Sequence, residues 1–280
     1  MKTVRRHRPA GGRRFPTGLR PAVLLRGLRP AVLLAGVRPA VILLGLLAAW
    51  QALIWATGAP RYILPGPVAV AEVLVARRAD LLAHAGVTVA EILLGLALGV
   101  VLGTAAALLI VAVRPARRWL MPVLVVSQAI PVFALAPVLT LWLGYGMGSK
   151  VAMATLIIFF PVTSAFVDGL RRTDPGWLDL ARSMDGRPWR VLWHLRVPAA
   201  LPALASGLRV ATAVAPIGAV VGEWVGASAG LGYLMLHANA RVQADLMFAA
   251  LFVLAVFAVA LYFAVDGALR RALPWQPEGS

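Results

Sequence analysis

The chain has 280 residues, 61% of them hydrophobic, a formal charge of +16 and no cysteine. That hydrophobic fraction is far from a water-soluble domain of this size, and the missing cysteines exclude disulfides, thiolate metal sites and thiol nucleophiles. The charge does not point to nucleic acid: ten of the 27 basic residues crowd into the first 38 positions, where no acid occurs, and membrane insertion accounts for that bias.

In chain order, residues 1–38 read as a basic low-complexity tail. It carries a nine-residue repeat, GLRPAVLLR, GLRPAVLLA and GVRPAVILL, starting at Gly18, Gly27 and Gly36. Nine residues turn a helix by about 900°, so successive copies face opposite sides, and the proline in each copy discourages a continuous helix. The tail is expected to be cytoplasmic and to lie along anionic lipid. Arg13-Arg14-Phe15 faintly matches a twin-arginine start, but the apolar stretch after it is as long as a full span, so a retained signal anchor describes it better.

Six runs of about 20 mostly apolar residues follow, each long enough to cross a hydrocarbon core of about 30 Å. They cover roughly residues 40–58, 88–113, 120–143, 151–170, 203–221 and 246–269. Their length and the lack of two-residue alternation specify helices and not a barrel, so the fold class is an all-α membrane protein with six transmembrane helices. With both termini cytoplasmic, the inward segments hold 21 of the 27 basic residues. Residues 39–272 form the six-span domain, and 273–280 a C-terminal tail.

After the first span, Pro65-Gly66-Pro67 marks a turn, and residues 68–82 are expected to form a short amphipathic helix at the outer interface. In the second span Gly95, Gly99 and Gly103 recur every fourth residue, laying down a smooth strip for close helix contact, either within the subunit or with a second copy. Gln128, Pro131 and Pro137 make the third span bent and partly polar. Glu91, Gln128, Pro131, Phe133 and Arg209 are the candidates for a translocation pathway; snorkelling and ordinary kinked packing are the alternatives.

Catalytic signatures are missing. The segment Gly144-Tyr-Gly-Met-Gly-Ser-Lys150 looks like a phosphate loop, but Ser149 stands where Gly belongs and Val151 where Ser or Thr belongs, so it reads as an outward Gly-rich turn. The four histidines have no ligand spacing, and neither HExxH, GxSxG nor paired membrane-embedded carboxylates are legible. No catalytic residue, metal site or cofactor is expected in this chain.

Residues 171–202, between spans four and five, are too long for a connector, which needs only a few residues. Asp174 and Pro175 suit the N-cap and first position of a short helix, Asp185-Gly186 its end, and Pro188 the start of another. Asp179-Leu180-Ala181, then Asp185-Gly186, then Leu195-Arg196-Val197-Pro198 resemble the Glu-Ala-Ala, Gly, Ile-x-Leu-Pro signature of binding-protein-dependent ABC importer permeases. Leu64-Pro65-Gly66-Pro67, the stretch from Gln128 to Pro137 and the segment from Val225 to Tyr233 resemble the nitrate, sulfonate and taurine branch. The run from Gly222 to Asn239 is closer to members importing thiamine-precursor pyrimidines.

The resemblance implies a type I ABC importer permease fold in a bacterial inner membrane. The implied partners are cytoplasmic ABC ATPase subunits, a periplasmic or lipid-anchored substrate-binding protein, and a second copy in a homodimer; ATP hydrolysis belongs to a partner chain. The loop would be the coupling element. Trp177, Leu178, Ala181 and Met184 would supply its apolar ridge, Arg182 and Arg190 a charged rim, and Asp179, Asp185, Gly186, Trp189 and Pro198 its frame. Glycine is the signature residue where Asp185 stands, so the turn there is open to two forms, with either Asp185 or Gly186 as the left-handed cap. A secondary active transporter is the alternative, and would show embedded carboxylates and broken helices.

Overall fold

A computed structural model describes the backbone of residues 24–275 and the side chains of 41–275, apart from Arg114, Ser127, Gln128 and Ala129. The first part of the basic tail, residues 1–23, lies outside the described residues, as do 276–280 of the C-terminal tail. The described elements are α-helices, apart from one π-helical turn at Leu192–Arg196. Four of them are long and apolar enough to cross a membrane: Arg78–Ala112, Met147–Arg171, Pro188–Gly226 and Ala244–Ala272.

The chain divides into two units at Ala56 and Thr57. The first holds α1 (Leu24–Thr57) except its last residue, and this helix runs through Pro30 and Pro39. The expectation that the repeat prolines interrupt the helix is therefore corrected from Leu24 onward. In an apolar stretch intrahelical bonds are the only partners for the backbone, so losing one bond per proline costs less than unwinding.

The second unit is built around α6 (Met147–Arg171), which packs between α3 (Arg78–Ala112) and α9 (Val197–Gly226). Small residues make this possible. An added Cβ at Gly99 would stand 2.5 Å from Ile158, one at Gly103 2.9 Å from Val162, and one at Gly95 would collide with Ala154. The glycine strip of α3 therefore meets α6 of the same subunit, which resolves the choice the spacing left open. On the other flank, a Cβ at Gly207 would reach 2.6 Å from Ala165, and one at Gly218 2.6 Å from the Ala154 backbone. Close approach of this kind replaces the hydrophobic effect as the source of packing energy between helices in lipid.

Two predicted elements are redrawn. The third run splits at Ile130 and Pro131 into α4 (Arg114–Ala129) and α5 (Val132–Leu143), because Pro131 has no N–H to continue the ladder. The segment 68–82 is not one interfacial helix: α2 (Pro67–Ala76) ends at Arg77, and the rest is the first part of α3. Between α9 and α11 (Ala244–Ala272) lies α10 (Leu231–Ala240), which packs on both.

Candidate functional site

The loop 171–202 begins with α7 (Pro175–Ser183). Asp174 caps it, its Oδ1 accepting from Gly176 N at 2.7 Å, with Pro175 at the first turn, where a missing N–H costs nothing. At the other end Asp185 N donates to Arg182 O at 3.0 Å and Gly186 N to Ala181 O at 2.8 Å. These are the paired bonds of a Schellman cap, and Asp185 takes the left-handed position at φ 54°. A Cβ on Gly186 would stand 2.7 Å from Ala181 O. Of the two forms left open, the structure has Asp185 as the cap residue.

From Pro188 the chain is helical to Gly226 through α8 (Pro188–Val191), the π turn and α9. The wide turn precedes Pro198, whose ring would otherwise press on the carbonyl of His194. Leu192, 6% exposed, sits in a cluster with Ala107 and Ile110 of α3, Phe166, Val167 and Leu170 of α6, and Ala200 of α9. The loop is thus rooted in all three central helices.

Its exposed apolar residues are Trp177, Leu180, Met184 and Trp189, at 62, 58, 75 and 64% exposure. The ridge predicted from sequence is corrected: Leu178 and Ala181 are half-buried on the inward side of α7, and Leu180 replaces them. The spacing 177, 180, 184 keeps to one helix face, whereas 178 and 181 lie about 100° around from 177 and 180. Asp179 is exposed and pairs with Arg182 at 2.8 Å. Arg190 and Pro198 are exposed.

At the opposite end of the bundle is a buried polar cluster. The first turn of α10 has no capping side chain of its own, since Gly230 precedes it at φ 117°. Its amides are satisfied from elsewhere. Gly230 N donates to His84 Nδ1 at 3.0 Å, Leu231 N to Thr88 Oγ1 at 2.7 Å, and Gly232 N and Tyr233 N to Glu223 Oε2. Thr88 Oγ1 in turn donates to Glu223 Oε1 at 2.6 Å. Because His84 Nδ1 accepts, the ring proton is on Nε2, which faces Asp80 at 3.5 Å.

Glu223 is 1% exposed and has Glu91, itself 2% exposed, as its electrostatic neighbour, and Glu91 Oε2 is buried without a hydrogen-bond partner among the described residues. Lys150, 3% exposed, lies within electrostatic reach of both. Its Nζ donates to the carbonyls of Tyr145, Gly146 at 2.9 Å and Gly226 at 3.0 Å. An ammonium thus closes the carbonyl end of α9 and a carboxylate closes the amide end of α10, each matching the sign of the helix dipole. Two expectations are corrected here. Paired embedded carboxylates do exist, and Lys150 is a buried anchor instead of part of an outward turn.

The remaining pathway candidates separate. Glu91 is enclosed in this cluster, and Arg209 Nε bonds Asp266 Oδ1 at 2.6 Å, tying α9 to α11. Phe133 is 61% exposed beside the Pro131 break. The side chain of Gln128 lies outside the described residues. Sequence reasoning missed Thr88, Lys150, Glu223 and Leu180. One signal was available for Glu223: a helix start at Gly230-Leu231 without a local cap requires a partner from another element.

Residues 99–275 match the model of the binding-protein-dependent transport system inner membrane component family. This chain belongs to that family. A probable ABC transporter permease protein of Haemophilus influenzae is 56% identical over 226 residues, covering 81% of this chain and 92% of that protein. The formylaminopyrimidine transport permease protein ThiX of Halalkalibacterium halodurans is 37% identical over 236 residues, with 82% and 92% covered. Among solved structures, the permease fold is shared with a chain of the MetNI methionine ABC transporter in an inward-facing conformation. The TM-score is 0.60 at 21% identity, covering 68% of this chain and 95% of that one. The chain is therefore a multi-pass permease subunit of an ABC importer for small solutes in the bacterial inner membrane, and not an enzyme.

Proposed function

We propose that this permease works as a homodimer of six-span subunits with both termini cytoplasmic, and that the 171–202 loop is the coupling element which docks on a cytoplasmic ABC ATPase. The observation that carries this is the exposed ridge of Trp177, Leu180, Met184 and Trp189 on a short helix capped at both ends and rooted at Leu192. An apolar ridge beside exposed arginines has the composition of a docking surface, and a rigid root is what a lever needs. Closure of two ATPase subunits would draw two such loops together and rock α3, α6 and α9 between inward-open and outward-open states. A periplasmic or lipid-anchored binding protein would deliver the solute.

The solute class is a small organic molecule or oxyanion of the nitrate, sulfonate or taurine kind, or a pyrimidine precursor of thiamine, the latter supported by the ThiX relative. Leu180→Asp tests the coupling. The reconstituted complex is expected to lose at least about 90% of ATP-dependent uptake of labelled formylaminopyrimidine or taurine, because an interface anchor is worth about 2 kcal/mol or more. Membrane insertion of the variant should stay normal. Full uptake by a correctly inserted Leu180→Asp variant would remove the loop from the mechanism.

A further inference from the structure

The inward side of α7 faces a groove of about 600 Å³. Its walls include Val111 and Ala112 at the end of α3, Leu178 and Arg182 of α7, Trp189 and Arg196. The volume falls within the range of about 300–1,000 Å³ usual for small-ligand sites. Leu178 and Arg182 lie about 150° around α7 from Trp177, Leu180 and Met184, so a partner on that face of α7 leaves the α7 wall of the groove free, and Trp189 borders both surfaces.

Arg196 decides the chemistry of the groove. It is half-buried, and among the described residues no carboxylate pairs with it, whereas Arg182 already holds Asp179 at 2.8 Å. A guanidinium lining a groove without a counter-charge favours an anionic oxygen ligand, and its planar fork suits a phosphate. The rest of the lining identifies the source. The groove lies where the apolar α3 ends, and Trp189 and Trp193 meet edge-on beside it with centroids 5.5 Å apart. Indole rings and arginines at the end of an apolar helix mark the headgroup level of a bilayer.

We infer that this groove seats the phosphate headgroup of an anionic phospholipid, with Arg196 as its principal contact and the apolar wall against the upper acyl chain. The inference rests on the inward orientation proposed above but not on ATP coupling. One lever would then touch lipid on one face and the ATPase on the other.

The test uses the full chain in zwitterionic phosphatidylcholine nanodiscs, titrated with phosphatidylglycerol, with retained lipid counted by native mass spectrometry. The wild-type chain should retain phosphatidylglycerol over phosphatidylcholine. Arg196→Gln should weaken that retention about tenfold, the scale of one charge-assisted bond. Arg196→Lys should restore part of it, and Arg172→Gln, an exposed arginine outside the groove, should leave it unchanged. Equal loss in Arg172→Gln and Arg196→Gln would show general attraction to a basic face and overturn the site. Displacement by millimolar inorganic phosphate would mark a free-anion site, and displacement by the ATPase a protein seat; either overturns the lipid assignment. None of these readouts measures uptake, so failure here is distinguishable from failure of the coupling proposal.

Discussion

Asp185 shows how much one backbone angle matters. At φ 54° it completes the cap of α7, a position where a Cβ costs about 1 kcal/mol and glycine costs nothing. The end of α10 uses the same bonds, Val242 N to Asn239 O at 3.0 Å and Gln243 N to Ala238 O at 2.8 Å, with a β-branched residue at φ 59°. Asp185→Gly is therefore expected to keep or improve transport and to stabilise the loop by up to about 1 kcal/mol, read as slower proteolysis between Arg182 and Arg190. Loss of uptake in a normally inserted Asp185→Gly variant would mean that the carboxylate itself touches a partner. The two possible forms of the turn were legible in the sequence; the choice was not, because the bond from Gly186 N to Ala181 O depends on where the helix stops.

Among the elements, α10 depends most on its neighbours. Its first-turn amides are held by His84, Thr88 and Glu223, which come from α3 and α9. Glu223→Gln replaces one of two acceptor oxygens with a donor, leaving either Thr88 Oγ1 or the Gly232 and Tyr233 amides facing an N–H. A lost partner in a buried network costs about 1–3 kcal/mol. Faster amide hydrogen exchange at residues 231–234, with the α3–α6 packing unchanged, is the expected result. Exchange as slow as in the wild type would show that the clasp is not what holds α10. The glycine strip of α3 was readable as a contact surface from its spacing alone. Its partner was not, since a period of four names a face and leaves its neighbour open.

For the whole molecule, the absence of cysteine makes topology directly testable. Ser183 in the loop and Ser228 before α10 are both exposed, so Ser183→Cys and Ser228→Cys introduce single reactive thiols at opposite ends of the bundle. A membrane-impermeant maleimide added outside spheroplasts is expected to label Cys at 228 and to leave Cys at 183 unmodified until the membrane is opened. Labelling at 183 from outside would reverse the orientation and end the coupling proposal. The basic residues point the same way, because Lys and Arg near span ends resist translocation.

Hydropathy, helix caps and charge bias depend on residues within a few positions of one another, so a helical membrane protein, its apolar runs and the capped loop with its family signature are all legible in the order of residues. Tertiary structure alone decided which charges meet. Thr88 and Glu223 are separated by 135 positions, and Lys150 and the Gly226 carbonyl by 76. A lone Glu or Lys near a span end reads locally as a solvated group, and only packing α3, α6 and α9 together excludes the water that would otherwise satisfy it.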